Sequence, residues 1–384
     1  MASDYPNILQ IAPIPHGSTK QLHTRLQGTV SSLTELGFDS VVCTYAQSKT
    51  IDDAENIRVS PPKQEIKTQN ELKKHAFSSN LKLTLLAVKT FHRVNPVALH
   101  AYGFRGLLIA SVVKLCFIWK NPPIVVDLNE EGIEKLSKAS RFSLKGLLTR
   151  IASVVTCESK TSIQIAEERL ALTTEKLCLV VSGVNSSPLL DEEQKQTIRQ
   201  KLKLSDQKTT VIINESLDKS STVLKDIQKT IHACRKLRNE LHFIIIGAPK
   251  KYLYAFLKKY ELKDMCTLIG EVNQKLLPQY YSVSDIALAP SYLHENKDQI
   301  KLLTFMANEL PVVAYDGKNQ QQILPDNTPL SHSLRDVVSH LKDLHHNKEW
   351  QARLAAENRQ RFQEFYSWEV SKEQLYAAYA QALS

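Results

Sequence analysis

The sequence predicts an α/β protein built from two doubly wound parallel sheets, one after the other along the chain. Three observations carry this prediction. Short apolar runs of strand length alternate with helix-patterned segments from Ile8 to beyond Ala314, the rhythm of βαβ units. The 384 residues are long for one domain and enough for two, each able to bury its own core. Third, Asp285 to Asp316 reads strand, loop, helix, strand: Ile286 to Pro290, a polar loop, Ile300 to Asn308, then Pro311 to Ala314. In open parallel sheets the loops leaving the carboxyl ends of strands line the ligand crevice, so Ser291 to Gln299 and the start of the following helix are expected to face a ligand. Loop positions at such strand ends are expected to be solvent-facing.

In order, Ile8 to Ala12 and Ser40 to Thr44 read as strands, with a helix from about Lys20 to Leu36 closed by Gly37 as its C-cap. The first loop, Pro13 to Ser18, holds one glycine, which favours an ordinary strand-to-helix turn over a phosphate cradle. Val59 to Phe77 is polar, lysine-rich and without period, and reads as a surface loop or short helix. Leu81 to Val94 is a helix, Val97 to His100 begins a strand, and an apolar helix follows Gly103 to Ile118. Ile124 to Leu128 is a buried strand that ends at Asn129, with Glu130 and Glu131 offering either carboxylate chemistry or an acidic helix cap. Ala152 to Thr156, Lys160 to Ala171 and Leu177 to Val181 continue as strand, helix, strand, and the domain boundary is expected near Ser187.

The second half opens with a helix, Asp191 to Leu202. Strands at Thr210 to Ile213, His242 to Ile246 and Thr267 to Ile269 alternate with helices at Ser221 to Leu237, Tyr252 to Tyr260 and Leu277 to Ser282. From Leu334 onward the pattern is helical to the end.

Composition narrows the class. Hydrophobic residues make up 42% and charged residues 23%, and no apolar run approaches the roughly 20 residues that span a bilayer. With no basic flank ahead of Ile8 to Ala12, no signal peptide is expected, and the predicted location is cytoplasmic. The six cysteines lack any C-x-x-C pair and read as reduced core thiols; no metal site or cofactor is expected, and His345-His346 reads as a surface pair because adjacent helical residues point different ways. The net charge of +9 is spread along the chain without an arginine-rich arm, which argues against nucleic acid. Lys135 to Arg150 is the densest basic stretch; it reads either as a solvated helix or as a cationic, apolar-edged face suited to an anionic membrane surface, which would make the protein peripheral at the inner membrane face.

Pro290-Ser291, Met306-Ala307 and Pro311-Val312-Val313-Ala314 fall into the register of the donor-sugar segment of family 4 retaining glycosyltransferases, and the chain resembles that family over nearly its whole length. Ser182-Gly183-Val184-Asn185 is similar to the family's interdomain hinge, and Tyr366-Ser367-Trp368-Glu369 to its Phe-Ser-Trp-Glu terminus. The resemblance implies the GT-B fold: two Rossmann-like domains facing across a cleft, 1–187 completed by 366–384 on the acceptor side and 188–365 on the nucleotide-sugar side, with the C-terminal helix crossing back. It also assigns candidate site residues. His100 stands in the family's His loop, and Asn129, beside Glu130, takes the place of the His that contacts the transferred sugar. On the donor side the positions are Glu215, where the family carries the diphosphate-binding Arg; Lys219; Gly247 of the nucleotide loop; Glu295 and Asn296 for the first donor carboxylate; and Thr304 for the second. Glu309 occupies the glycine position before Pro-Val-Val.

Asn and Thr cannot supply the missing charge, and Glu215 reverses it. Two readings follow. In the first, the protein is a glycosyltransferase-like chain with eroded donor and catalytic motifs, weakly active or non-catalytic, binding or assembling with an active homologue or with itself in a glycan pathway. In the second, it is an active retaining enzyme, nucleotide-sugar dependent and metal-independent, with Glu295, Lys301 or Glu130 taking over in a rearranged site. Lys301 lies three residues before Thr304, on the same helix face, where a cation meets a phosphate as a point charge or is simply solvated.

Overall fold

The computed structural model describes residues 5–15, 21–45, 57–60, 76–128, 133, 149–184, 190–215, 222–247, 250–273, 276–290 and 299–384. The chain divides into two compact units, Met1–Gly183 with Trp368–Ser384, and Val184–Ser367. The returning segment therefore begins at Trp368, and Tyr366 and Ser367 stay with the second unit.

In the first unit β1 (Asn7–Pro15), β2 (Asp39–Tyr45), β3 (Ile57–Ser60), β4 (Ala98–Tyr102), β5 (Ile124–Leu128), β6 (Val154–Cys157) and β7 (Leu177–Leu179) form one sheet in the order β3-β2-β1-β4-β5-β6-β7. Every pairing is parallel. A parallel sheet is covered on both faces, so its strands are apolar throughout rather than alternating. Leu9, Leu99, Ala101 and Val126 join Phe91 of the helix Ala76–Val94 and Leu107 and Ala110 of the helix Gly103–Cys116. Their neighbours Ile8, Ala98 and Val125 pack with Leu375, Ala378 and Tyr379 of the last helix, Trp368–Leu383. That helix is also pinned to the end of the sheet: the Val181 amide donates to Gln374 Oε1 at 2.9 Å, and Ser371 Oγ donates to the Val181 carbonyl at 2.8 Å.

β3 corrects the expectation of a loop or short helix from Val59; the apolar alternation Ile57, Val59 is too short to stand out, and pairing with Val42 to Tyr45 makes it a strand. The rest of that stretch, 61–75, lies outside the described residues.

A helical glycine is ordinarily a weak point, yet Gly28 sits inside the helix Gln21–Glu35. The reason is Trp368. A Cβ at Gly28 would lie 1.8 Å from the indole Cη2, and one at Gly183 would lie 2.5 Å from its Cδ2. Gly28→Ala is expected to destabilise the protein by about 1–3 kcal/mol through overpacking, despite alanine's better helix propensity. Urea unfolding followed by tryptophan fluorescence measures it, and a stabilised variant would show that the indole does not fill that space.

In the second unit β8 (Thr209–Asn214), β9 (Leu241–Ile246), β10 (Cys266–Gly270), β11 (Ile286–Ala289), β12 (Val312–Tyr315) and β13 (Leu330–Ser331) form a parallel sheet in the order β10-β9-β8-β11-β12-β13. Val211, Ile213, Phe243, Ile286 and Val313 face Ile227, Leu253, Val337 and Leu341 on one side. Ile212, Ile244, Ala287 and Val312 face Leu302, Phe305, Met306 and Phe362 on the other. The helix Glu192–Leu202 starts at a reciprocal cap, with Asp191 accepting from the Gln194 amide at 2.8 Å. The helical C-terminal region is broken at Asn347, whose Oδ1 accepts from the Trp350 amide at 2.9 Å and starts Lys348–Phe365. β13 and the short helix Lys318–Ile323 carry too few residues for a visible period and were not expected from the sequence. Among the described residues no helix is long and apolar enough to cross a membrane.

Candidate functional site

In an open parallel sheet the ligand crevice forms where neighbouring strands send their connections to opposite sides. In the second sheet that place is between β8 and β11, since β8 lies between β9 and β11. Asn214 ends β8 and Glu215 follows it, while Pro290 follows β11 ahead of the helix Gln299–Ala307. Glu295 and Asn296 fall in 291–298, outside the described residues, as does Lys219 in 216–221.

The structure brings two of the predicted residues together there. Lys301 Nζ, from the first turn of its helix, forms an ion pair with Glu215 Oε2; the Glu215 side chain is 7% exposed and that of Lys301 30%. This corrects both expectations for these positions: Glu215 is buried rather than solvent-facing, and Lys301 is paired rather than merely solvated. The Glu215 amide donates to the Ile246 carbonyl at 3.0 Å, which ties the strand end to β9. Next to it, Asn214 Nδ2 donates to the Tyr281 hydroxyl at 2.6 Å, and the Tyr281 ring packs edge-on against Phe305 at 5.8 Å. Burial pushes the Tyr281 phenol up to about 12, so it remains a neutral hydroxyl. Thr304 shares the helix face of Lys301, but its hydroxyl donates at 2.7 Å to the Ile300 carbonyl one turn back. The Asn308 side chain donates to the Thr304 carbonyl at 2.7 Å. Neither group replaces a carboxylate at this position.

Gly247 closes β9 with φ +79°, its amide donating to the Gly270 carbonyl at 2.6 Å, a conformation that glycine adopts without cost. Glu309 shows the opposite case. It sits at φ +57° after the helix Gln299–Ala307, a C-terminal position that glycine usually fills. The left-handed conformation costs an L-residue about 1–2 kcal/mol, while the ion pair to Arg359 at 3.8 Å is too exposed to offset it. Glu309→Gly is expected to raise stability by about 0.5–1 kcal/mol after the entropy of the glycine is counted. Thermal unfolding measures the gain; a loss of stability would mean that the Arg359 contact outweighs the backbone.

In the first unit Asn129 and Glu130 lie outside the described residues. His100 is not at a strand end. It is 1% exposed, its Nδ1 bonds the Tyr379 hydroxyl at 2.7 Å, and it stacks on Tyr102 at 4.6 Å. Burial pulls its pKa down to about 4, so the ring is neutral. The ring is enclosed between β4 and the last helix, where it packs the sheet rather than standing open to solvent.

Sequence reasoning passed over the group beside it. Arg25 donates to Asp127 through Nε at 2.5 Å and Nη2 at 2.9 Å, to Ser182 Oγ at 2.9 Å and to the Val180 carbonyl at 2.9 Å. Ser182 Oγ donates to Glu158 Oε1 at 3.0 Å, and Thr156 Oγ1 donates to Asp127 Oδ1 at 3.1 Å. Burial works against the guanidinium charge, but Asp127 and Glu158 outweigh it and hold the pKa of Arg25 above its ordinary value. The network joins the carboxyl ends of β5 and β6 to the chain just ahead of Gly183. Its signal in the sequence was an Asp inside the apolar run Ile124 to Leu128.

Comparison with known proteins agrees with this fold. No curated protein matches the chain in sequence. Residues 194–361 match the family described as "Glycosyl transferases group 1". Among solved structures, the chain is similar to a sucrose-phosphate synthase from Thermosynechococcus elongatus, with TM-score 0.75, 15% identity and 98% of both chains covered. A glycosyltransferase from Rickettsia africae aligns with TM-score 0.73, 12% identity and 99% of both chains. The Anabaena protein HepE, solved in complex with UDP and glucose, aligns with TM-score 0.71, 14% identity, and 98% of this chain against 100% of its own. Parallel sheets in two units, the last helix returned to the first, and the match over the second together identify residues 194–361 as a glycosyl transferases group 1 domain within a chain of the GT-B fold.

Proposed function

We propose that this chain is a glycosyltransferase-like protein whose donor site has lost its charge pattern, weakly active or inactive in transfer, and serving as a binding or assembly partner in a glycan pathway. One observation carries the reading: the Glu215–Lys301 ion pair at the switch point of the second sheet. A diphosphate carries negative charge and requires uncompensated cations at its seat. Here the cation is matched by a buried carboxylate, and the hydroxyl of Thr304 is turned back onto its own helix. The expected result is that UDP, GDP and their sugar conjugates bind the wild-type protein no tighter than about millimolar in calorimetry, and that no sugar is released from them. Micromolar binding of any one of them with turnover would replace this reading.

The alternative, an active retaining transferase with a rearranged site, is supported by the placement of Lys301. Its partly exposed side chain sits in the first turn of the helix that follows the switch-point strand, where helix polarity already favours an anion. Nucleotide sugar is the donor class under either reading, and HepE is a structural neighbour solved with UDP. A protein partner, a homologous transferase or a second copy, is part of the proposal. Of the membrane-surface stretch Lys135 to Arg150, only Thr149 and Arg150 are described, and Thr149 is fully buried.

A further inference from the structure

At the opposite end of β8 from Glu215, about 20 Å away at the strand rise, the turn into β9 meets the end of the helix Leu334–His346. Three lone-pair atoms converge there. Glu240 Oε2 lies 3.3 Å from His346 Nε2 and 3.8 Å from His345 Nε2. All three ligand atoms lie within 4.8 Å of one another. Glu240 Oε2 is itself buried and has no hydrogen-bond partner. A buried carboxylate oxygen facing two imidazole nitrogens at these separations makes a seat for a cation. The histidines were expected to diverge on the helix; in its last turn, with rings 4.9 Å apart, both turn to the same oxygen.

We propose that Glu240, His345 and His346 form a binding site for a divalent transition-metal ion of the zinc, cobalt or nickel class. Ligand atoms about 2.0–2.2 Å from a tetrahedral zinc stand about 3.4 Å apart, close to the two separations measured from Glu240. His346 is 55% exposed, so its ring can rotate to close the remaining gap. His345 is oriented from behind. Its Nδ1 is 2.8 Å from Thr209 Oγ1, which also accepts from Lys348 Nζ at 2.9 Å. With the Nδ1 proton held by the threonine, the Nε2 lone pair is directed at the site, the outer-shell arrangement that metal-binding imidazoles use. Two imidazoles and one carboxylate suit a borderline ion rather than magnesium or calcium, which prefer oxygen cages. His345 also borders a groove of about 530 Å³, open to a water or small anion as fourth ligand. The ion would lock the last turn of the helix to the start of β9.

The test uses the full chain stripped by a chelator. Zinc is titrated against a chromogenic chelator, and cobalt serves as a spectroscopic probe. The expected result is one equivalent bound, with visible d–d absorption and no thiolate charge-transfer band. Thr209→Val, which leaves the three ligands in place, is expected to weaken zinc binding about 10–100-fold, and Glu240→Gln and His346→Ala by at least as much. Zinc should raise the Tm of wild type and leave that of His346→Ala unchanged. His346 is exposed and its loss does not threaten the fold. Absence of stoichiometric binding would overturn the proposal, since the three groups then share only a proton. So would a thiolate band, or binding that Glu240→Gln and His346→Ala leave intact.

Discussion

Arg25→Met is expected to destabilise the first unit by about 3–5 kcal/mol, the cost of leaving buried charge without its partner. The side chains of Arg25 and Asp127 are 4% and 3% exposed, and that of Glu158 is 4%. Removing the guanidinium strands two carboxylates at once, since Glu158 also lies 3.6 Å from Arg25 Nε. In a unit of this size each kcal/mol lowers Tm by about 2–4 °C, so a fall of about 6–20 °C is expected. Adding Asp127→Leu should restore part of the loss, because replacing a buried ion pair by apolar groups is often close to neutral whereas halving it is not. A single variant within about 1 kcal/mol of wild type, or a double variant worse than the sum of the two singles, would show that the cluster is not held by charge. The network lies where β5 runs toward Asn129 and where the chain reaches Gly183, so its loss should loosen the ends that carry sequence-assigned site residues.

The fold was legible wherever strands are buried on both faces. Ile124–Leu128 is found as the sequence delimits it, because an apolar run between polar loops allows few alternatives. The short helix Leu277–Ser282 also keeps its expected bounds. β3 and β13 were not legible: they are edge strands of four and two residues whose identity comes from pairing rather than pattern. The purpose of Gly28 and Gly183 was equally hidden, since a glycine's reason lies in the residue that occupies its empty space, here an indole far along the chain. The site was read in part. The sequence located Glu215, Lys301 and Thr304 on the right elements, but spacing within a helix cannot show that Lys301 reaches across to the end of β8. The burial of His100 was not legible, because a motif position says nothing of which way the strand turns a side chain, here toward the last helix. Glu240 and His345-His346 are separated by more than a hundred residues, so no local signal joins them.

Glu215→Gln is expected to tighten binding of UDP or GDP about 5- to 30-fold. Two unit charges about 4 Å apart interact by about 4 kcal/mol at an effective dielectric of 20, and solvent at a half-open site reduces this to about 1–2 kcal/mol. Each 1.4 kcal/mol is a factor of ten in affinity. The glutamine keeps the size of the side chain and can still accept from Lys301, so the fold should persist while the ammonium becomes available to a diphosphate. Lys301→Ala in the same background should abolish the gain, because no new cation replaces it. Glu215→Arg, which restores the family's residue, sets a second cation beside Lys301; it should lower stability in the free protein and recover it when a nucleotide diphosphate binds. Thr304→Glu added to Glu215→Gln should improve nucleotide-sugar binding over nucleotide alone, since the new carboxylate has sugar or ribose hydroxyls to accept from and must give up only the threonine's bond to the Ile300 carbonyl. Calorimetry on the four variants separates the two readings of the protein. If wild type already binds a nucleotide sugar tightly and Glu215→Gln weakens it, Glu215 holds Lys301 in a working geometry, the donor site is rearranged rather than eroded, and the chain is an enzyme.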